Sequence, residues 1–358
     1  PDLQLARRFR FRAIPLDTLR AVITRPGLVS RRAMRPSHLR TMLTRRDLLS
    51  ADEMDTAEAL AAHQVSSATL NALSGMALAR QALTLDSAYD LLRYEAGFYR
   101  VQPAAVQERE RRILDLRRQI PPESAAVVPL TFTEPAPEDG HGTGRFTLAI
   151  GGSRERRFQE VGIRASIHDL EANPVGYIAG SQLEMLNIRL RHEAGPGLYL
   201  EEAKIFEIIS LSPWDRWVRK PSWTVRASVQ TARDKAAAPD KSLVAGLDGG
   251  SGVSFSALPN KALIAYALGK ADGETGGVLE RGHRIGFSGQ AGLLLRENAG
   301  ARLHVSGTAT RFFTGDTGNR VELKAVQSVD LSRNVEVRLT ALRVNGHQEG
   351  TAALNLYW

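Results

Sequence analysis

From Gly144 to the C-terminus, apolar and polar residues alternate with a period of two, the spacing of a β-strand that has one apolar and one polar face. Ile163, Ala165 and Ile167 alternate with Arg164, Ser166 and His168, and Leu186, Ile188 and Leu190 with Asn187, Arg189 and Arg191. The same alternation sets Val225, Ala227 and Val229 against Arg226, Ser228 and Gln230, Leu303 and Val305 against His304 and Ser306, and Val335 and Val337 against Glu336 and Arg338. About twelve such segments follow one another, near 145–153, 157–169, 182–194, 198–211, 222–233, 243–257, 261–271, 282–297, 301–314, 319–332, 334–345 and 349–358. Short Gly- or Asn-bearing turns, such as Glu297 to Gly300 and Asp316 to Asn319, join several of them. An open sheet of consecutive hairpins leaves two unpaired edges, and closure removes both. The pattern therefore predicts a mainly β chain: an antiparallel up-and-down β-barrel of about twelve strands over 144–358.

The first 120 residues have a different period. Ser50 and Glu53 have the spacing of a capping box. Ala57 to Leu73, Asp86 to Tyr99 and Val106 to Ile120 then place apolar residues at helical intervals, and Pro121-Pro122 stops the last run. Residues 121–143, rich in Pro, Glu and Gly, read as a linker. The expected organisation is an α-helical N-terminal segment (1–120), the linker (121–143) and the barrel (144–358).

Charge sharpens this division. Residues 1–46 hold twelve Arg against Asp2 and Asp17, a net of +10 that exceeds the +8 of the whole chain. Such a block fits lipid phosphates, an acidic protein face or plain solvation of a helical surface. No aromatics are interleaved with it as base-stacking platforms, so nucleic acid is not an expected partner. The chain has no Cys, which excludes disulfides, thiolate metal sites and a Cys nucleophile in the residues shown. It contains no run of 18 apolar residues and no signal peptide, and it opens on Pro1; it reads as a processed or partial chain.

Two barrels satisfy the strand pattern. A soluble one points its apolar face inward around a core or ligand; a transmembrane one points it at lipid around a polar lumen. Twelve strands enclose more space than a simple apolar core fills, and many segments reach the length that a tilted strand needs to cross a bilayer. The final alternation, closing on Tyr357 and Trp358, looks like the last strand of an outer-membrane barrel. Aromatic content of 6% argues the other way, because membrane barrels carry aromatic girdles. Trp214, Trp217, Trp223 and Trp358 are the candidate membrane-interface aromatics, with a packed corner as the other reading of the first three. The expected location is the bacterial outer membrane, with the N-terminal segment in the periplasm and lipid as the surrounding partner.

Short motifs add a resemblance. The stretches Ala13 to Arg20, Pro26 to Val29 and Arg35 to Ser37, the helix Ala88 to Tyr94, and the pair Ser210 to Asp215 and Lys220 to Trp223 resemble bacterial envelope proteins with an Lnb-type periplasmic domain (domain of unknown function 4105). The resemblance implies an envelope protein, one branch of that family being linked to lipoprotein N-acylation. The family's catalytic Asn-Cys motif has no counterpart here, so no catalytic residue is carried over, and acyl-transfer or hydrolase chemistry is expected upstream or on another chain.

Within the chain no chemistry converges. The eight His have no metal-ligand spacing, so no metal or cofactor is expected. Gly246 to Gly252 lacks a following helix or GK[ST] and reads as a bulge, a kink or a close approach of backbone to a lumen plug. Asp215 reads as a turn-capping carboxylate. Arg164, Arg189, Arg191, Arg226 and His304, on polar strand faces, are the candidate ligand-binding residues; internal pairing with Glu160, Glu184 and Glu193 is the competing reading. The functional expectation is a non-catalytic outer-membrane barrel module that anchors or positions an upstream acyltransferase- or hydrolase-like domain, or presents its lumen to a lipid or lipoprotein partner. The alternative is a soluble periplasmic barrel that binds a small hydrophobic or anionic ligand.

Overall fold

The computed structural model describes residues 15–23, 27, 37–62, 64–99, 103–121, 135–235, 242–257, 262–297 and 300–358. Most of the arginine block, including Arg7, Arg8, Arg10 and Arg12, lies outside these residues, as do parts of the stretches at 13–20, 26–29 and 35–37. Two compact units emerge: residues 30–133, and residues 1–29 together with 134–358.

In the first unit the helices are α2 (His38–Arg46), α3 (Ala51–Ala61), α4 (Ser67–Ser74), α5 (Leu78–Tyr99) and α6 (Pro103–Arg118). The capping box forms as expected: Glu53 N–H donates to Ser50 Oγ at 3.3 Å, and Ser50 N–H to Glu53 Oε2 at 2.8 Å. The single run read over 57–73 is two helices. Ser66 interrupts it by accepting the N–H of Thr69 and starting α4. Met42, Leu60, Leu85, Leu92 and Ile113 fill the core. Arginines secure its margins: Arg45 pairs with Asp90 at 2.5 Å, while Arg109 and Arg112 of α6 donate to the carbonyls of Ala61 and Ala62 at the C-terminal end of α3.

The second unit holds α1 (Pro15–Ile23), a short 3-10 turn (Pro137–Asp139) and twelve strands. These are β1 (Arg145–Ser153), β2 (Arg157–His168), β3 (Ser181–Glu193), β4 (Gly197–Ser210), β5 (Ser222–Thr231), β6 (Leu243–Ser256), β7 (Leu263–Thr275), β8 (His283–Arg296), β9 (Ala301–Gly315), β10 (Gly318–Ser332), β11 (Val335–Val344) and β12 (His347–Tyr357). Each pairs antiparallel with its sequence neighbours, and β12 returns to β1 with Arg145 opposite Tyr357 and Leu148 opposite Leu354, closing the barrel. The helical spacing alone would group α1 with the helices that follow it; its contacts place it with the barrel.

The faces follow the alternation. Ile163, Ile188 and Val305 are 50, 40 and 42% exposed on the outside, while Arg164, Glu184, Arg191 and Glu336 are buried in the lumen. Local irregularities adjust the alternation where the lumen needs it. Leu186, which has φ +50°, breaks it without changing the pairing register, so that Met185, Leu186 and Ile188 are all outside while Glu184 and Asn187 point in. A register shift between β3 and β4, at Arg189 and Leu190, turns the consecutive Glu201 and Glu202 both inward. The glycines of β6 answer a different demand. A Cβ on Gly250 would lie 1.9 Å from the carbonyl oxygen of Gly269, and one on Gly252 2.0 Å from that of Ala267. The ladder with β5 and β7 shows no register shift there, so these glycines serve a close approach of β6 to β7 rather than a bulge or contact with a plug.

Candidate functional site

The lumen is where the unusual chemistry gathers. The chain between β2 and β3 runs over residues 169–180, and its first stretch, 169–173, turns into the barrel. Asp169 takes the guanidinium of Arg164 at 2.8 Å and of Arg338 at 3.0 Å, with Arg145 as a third cation in contact. Two residues on, Glu171 accepts from Arg302 through its carbonyl oxygen at 2.8 Å and holds His304 Nδ1 at 2.9 Å through its carboxylate. His304 Nε2 meets the hydroxyl of Tyr266 at 2.9 Å. Asn173 donates to Asp330 at 2.7 Å. Between these polar anchors, Leu170 packs with Leu211, Ile264, Tyr266, Leu268 and Leu294 in an apolar layer. The segment is an inserted plug held by charge on several wall strands and by a small greasy seam.

The rim beside it is closed by aromatic rings and α1. His141 Nδ1 lies 2.6 Å from the carbonyl oxygen of Gly142, and its Nε2 lies 3.1 Å from His168 Nδ1. Nδ1 donates to that carbonyl, and in a neutral ring Nε2 is then the acceptor of the His168 Nδ1 proton. Burial agrees, pushing the His141 pKa down to about 4. Tyr177 stacks on His168 at 4.3 Å and donates to the carbonyl of His141 at 2.9 Å. Tyr357 tilts against His141 at 4.3 Å. From α1, Arg20 donates to the carbonyl of Gly140 at 2.9 Å, and Asp17 accepts from Thr143 at 2.7 Å.

Farther along the lumen the wall continues as paired charges. Arg189 lies 3.0 Å from both Glu160 and Glu202, and Arg191 3.1 Å from Glu160 and 2.9 Å from Glu349. Arg226 pairs with Asp248 at 2.8 Å, Lys204 with Glu184 at 2.8 Å, and Arg284 with Asp234 at 2.5 Å. Isolated ions in such a space cost several kcal/mol each, and mutual pairing offsets that cost.

All five candidate ligand residues therefore sit in the lumen with partners. Arg164, Arg189, Arg191 and Arg226 each meet at least one carboxylate, and His304 is held between Glu171 and Tyr266. The pairing partners Glu160 and Glu184 act as read, and Glu193 lies 3.9 Å from Arg191 while accepting from the Tyr199 hydroxyl at 2.7 Å. Arg338 lies on a polar strand face of the sequence pattern, but Asp169, Glu171, Arg145 and Arg302 are not among its candidate residues; the signal for the first two is a pair of acidic residues at the start of a twelve-residue connection. Among the aromatics, Trp214, Trp223 and Trp358 are exposed at the end of the barrel where its chain termini lie. Trp217 is a correction: it is buried, in a corner shaped by Asp215, whose carboxylate accepts the backbone N–H of Trp217 at 2.9 Å and of Val218 at 3.2 Å. Among the described residues no group of side chains is arranged to hold a metal ion.

Comparison with known proteins finds two family models, the domain of unknown function DUF7842 over residues 33–129 and the domain of unknown function DUF7840 over residues 134–358. The domain of unknown function 4105, which the short motifs resemble, is not among them. No curated protein sequence matches. Solved structures similar to the barrel include the KdgM porin in complex with disordered oligogalacturonate (6% identity, TM-score 0.36, 60% of this chain and 99% of that one). An outer membrane channel from Pseudomonas putida F1 matches at 8% identity and TM-score 0.37 over 60% and 95% of the two chains. LpxR from Salmonella typhimurium matches at 9% and 0.34 over 60% and 100%. The match over 134–358 takes in the whole barrel with its plug and more than half of the chain, so the chain belongs to the DUF7840 family.

Proposed function

We infer that this chain is an outer-membrane barrel with a closed lumen that anchors and positions a periplasmic partner. The carrying observation is the inversion of polarity: aliphatic side chains are exposed around the wall while arginines and carboxylates are buried inside it. In water that arrangement would leave Ile163, Phe287, Leu293 and Leu339 solvated and charge desolvated; in a bilayer both are at home. It counts against the soluble barrel. The inserted stretch 169–173 and the ion-paired wall support a closed lumen. The work that remains for such a body is to hold something at the membrane, and the motif resemblance supports an acyltransferase- or hydrolase-like domain acting on lipids or lipoproteins. The helices of 37–121, on the periplasmic side in this reading, are the coupling segment.

A gated channel is the second reading, favoured because the closure rests on one connecting segment. One experiment separates the two. The full chain is secreted into a Gram-negative host, recovered from the outer membrane and placed in a planar bilayer. Silence with a folded, heat-modifiable barrel supports the anchor; stable conductance steps in the unaltered protein would favour the channel. Recovery as a detergent-free soluble protein would overturn the membrane reading.

A further inference from the structure

The outer wall carries a crevice that the lumen does not explain. On β7 to β9 a run of outward positions is small: Ala267, Gly269, Gly289, Ala291, Gly307 and Ala309 line a depression of about 540 Å³, bounded by Val321 and Leu323 of β10. Its outward direction is fixed by contacts. A Cβ on Gly307 would lie 3.1 Å from Cδ2 of the exposed Leu323, and one on Gly289 would meet nothing within 4 Å. The depression adjoins a larger one of about 1000 Å³, which shares Ala291, Gly307 and Leu323 and continues over Ala325, Ala341 and Gly350. This second part ends among Arg154, Arg343, Gln348 and Glu349, at the hairpin tips opposite the chain termini, and the Glu349 carboxylate is taken up by Arg191 at 2.9 Å.

The two arginines differ from those inside. Lumen arginines have carboxylate partners; among the described residues Arg154 and Arg343 have none, and Arg343 Nε donates only to the carbonyl of Asn345, at 3.0 Å. An apolar trough that starts in the hydrocarbon belt and ends at two uncompensated guanidiniums matches an amphiphile with a chain at one end and an anion at the other. Small side chains let a chain lie close to the sheet, and the planar fork of Arg suits a phosphate. Resting on the membrane reading above, we propose that this crevice binds a phosphate-bearing acyl lipid of the surrounding leaflet, its chain along β7–β11 and its headgroup between Arg154 and Arg343.

The test uses the full chain purified in neutral detergent and three probes: phosphatidylglycerol, diacylglycerol with the same chains, and inorganic phosphate. Lipid retained per barrel is read by native mass spectrometry. Phosphatidylglycerol is expected to stay bound and diacylglycerol to wash off. Arg154→Gln with Arg343→Gln should lower retention about tenfold, the equivalent of one charge-assisted bond. Ala291→Trp, which fills the trough and leaves the arginines in place, should lower it as well. Retention unchanged in both variants, equal retention of diacylglycerol, or displacement by millimolar inorganic phosphate would each overturn the proposal. A heat-modifiable barrel that needs detergent yet retains no lipid sinks the crevice alone, whereas a barrel soluble without detergent sinks the membrane reading beneath it.

Discussion

At the scale of single residues, Asp169 and His141 have the most to lose. Asp169 stands among Arg145, Arg164 and Arg338, and among the described residues no other carboxylate reaches all three. Asp169→Asn keeps the shape and removes the charge. Loss of one partner from a buried ionic cluster typically costs about 3–5 kcal/mol, so the temperature at which the folded band disappears on a denaturing gel should fall clearly; an unchanged transition would show that the cluster is not holding the plug. His141 makes a prediction about pH. Its ring faces His168, Tyr177 and Tyr357, with Arg164 and Arg20 disfavouring its cation and Asp169 favouring it. Because the folded pKa, about 4, lies below the unfolded 6.5, the unfolded chain binds the proton first. The contribution of this residue is complete above pH 6.5 and is lost as pH falls toward 4, about 3 kcal/mol in all. Thermal unfolding of His141→Gln beside the unaltered protein between pH 7.5 and 4.5 checks this: the gap between the two should narrow on acidification.

At the scale of elements, the plug is the part whose removal should change what the barrel does. Replacing 170–179 by a four-residue Gly-Ser linker leaves β2 and β3 a hairpin connection and takes out Leu170, Glu171 and Asn173 together. The expected outcome is ion conductance in a planar bilayer where the unaltered chain is silent, and continued silence would mean that the wall charges alone close the lumen. The strands themselves were legible: the period-two run at 145–153 coincides with β1, and the others differ from the observed bounds by a few residues. That follows from physics, because each strand meets two solvents and its alternation is forced along nearly all of its length. The plug was hidden by the same period: Asp169, Leu170, Glu171, Ala172 and Asn173 carry an alternation past the end of β2, and nothing in it shows that Asp169, Glu171 and Asn173 each answer to a different wall strand. Nor could the pairing of the arginines be read, because Arg338 and Asp169 meet only once the sheet has closed. In α3 and α4 the apolar spacing hid a break that one serine side chain decides.

For the whole molecule the governing question is which solvent each face meets, and one substitution puts it directly. Ile163 lies near the middle of β2, half exposed on the outer wall, opposite Phe146 on β1 and Ile188 on β3. Its neighbour in the chain, Arg164, is fully buried in the lumen. If the wall faces lipid, Ile163→Arg places a charge at mid-depth in the hydrocarbon, at a cost of about 2–4 kcal/mol in barrels of this kind. The variant should then insert poorly and accumulate in the periplasm or be degraded, while Ile163→Leu inserts normally. If the wall faces water, the same arginine removes an exposed aliphatic patch, and surface substitutions of that sort change stability by only about 0.5 kcal/mol. The variant would then be at least as soluble and as abundant as the unaltered chain. Outer-membrane fractionation of the two variants decides the matter: undiminished recovery of folded Ile163→Arg would refute a lipid-facing wall, and with it both the anchoring role and the lipid crevice.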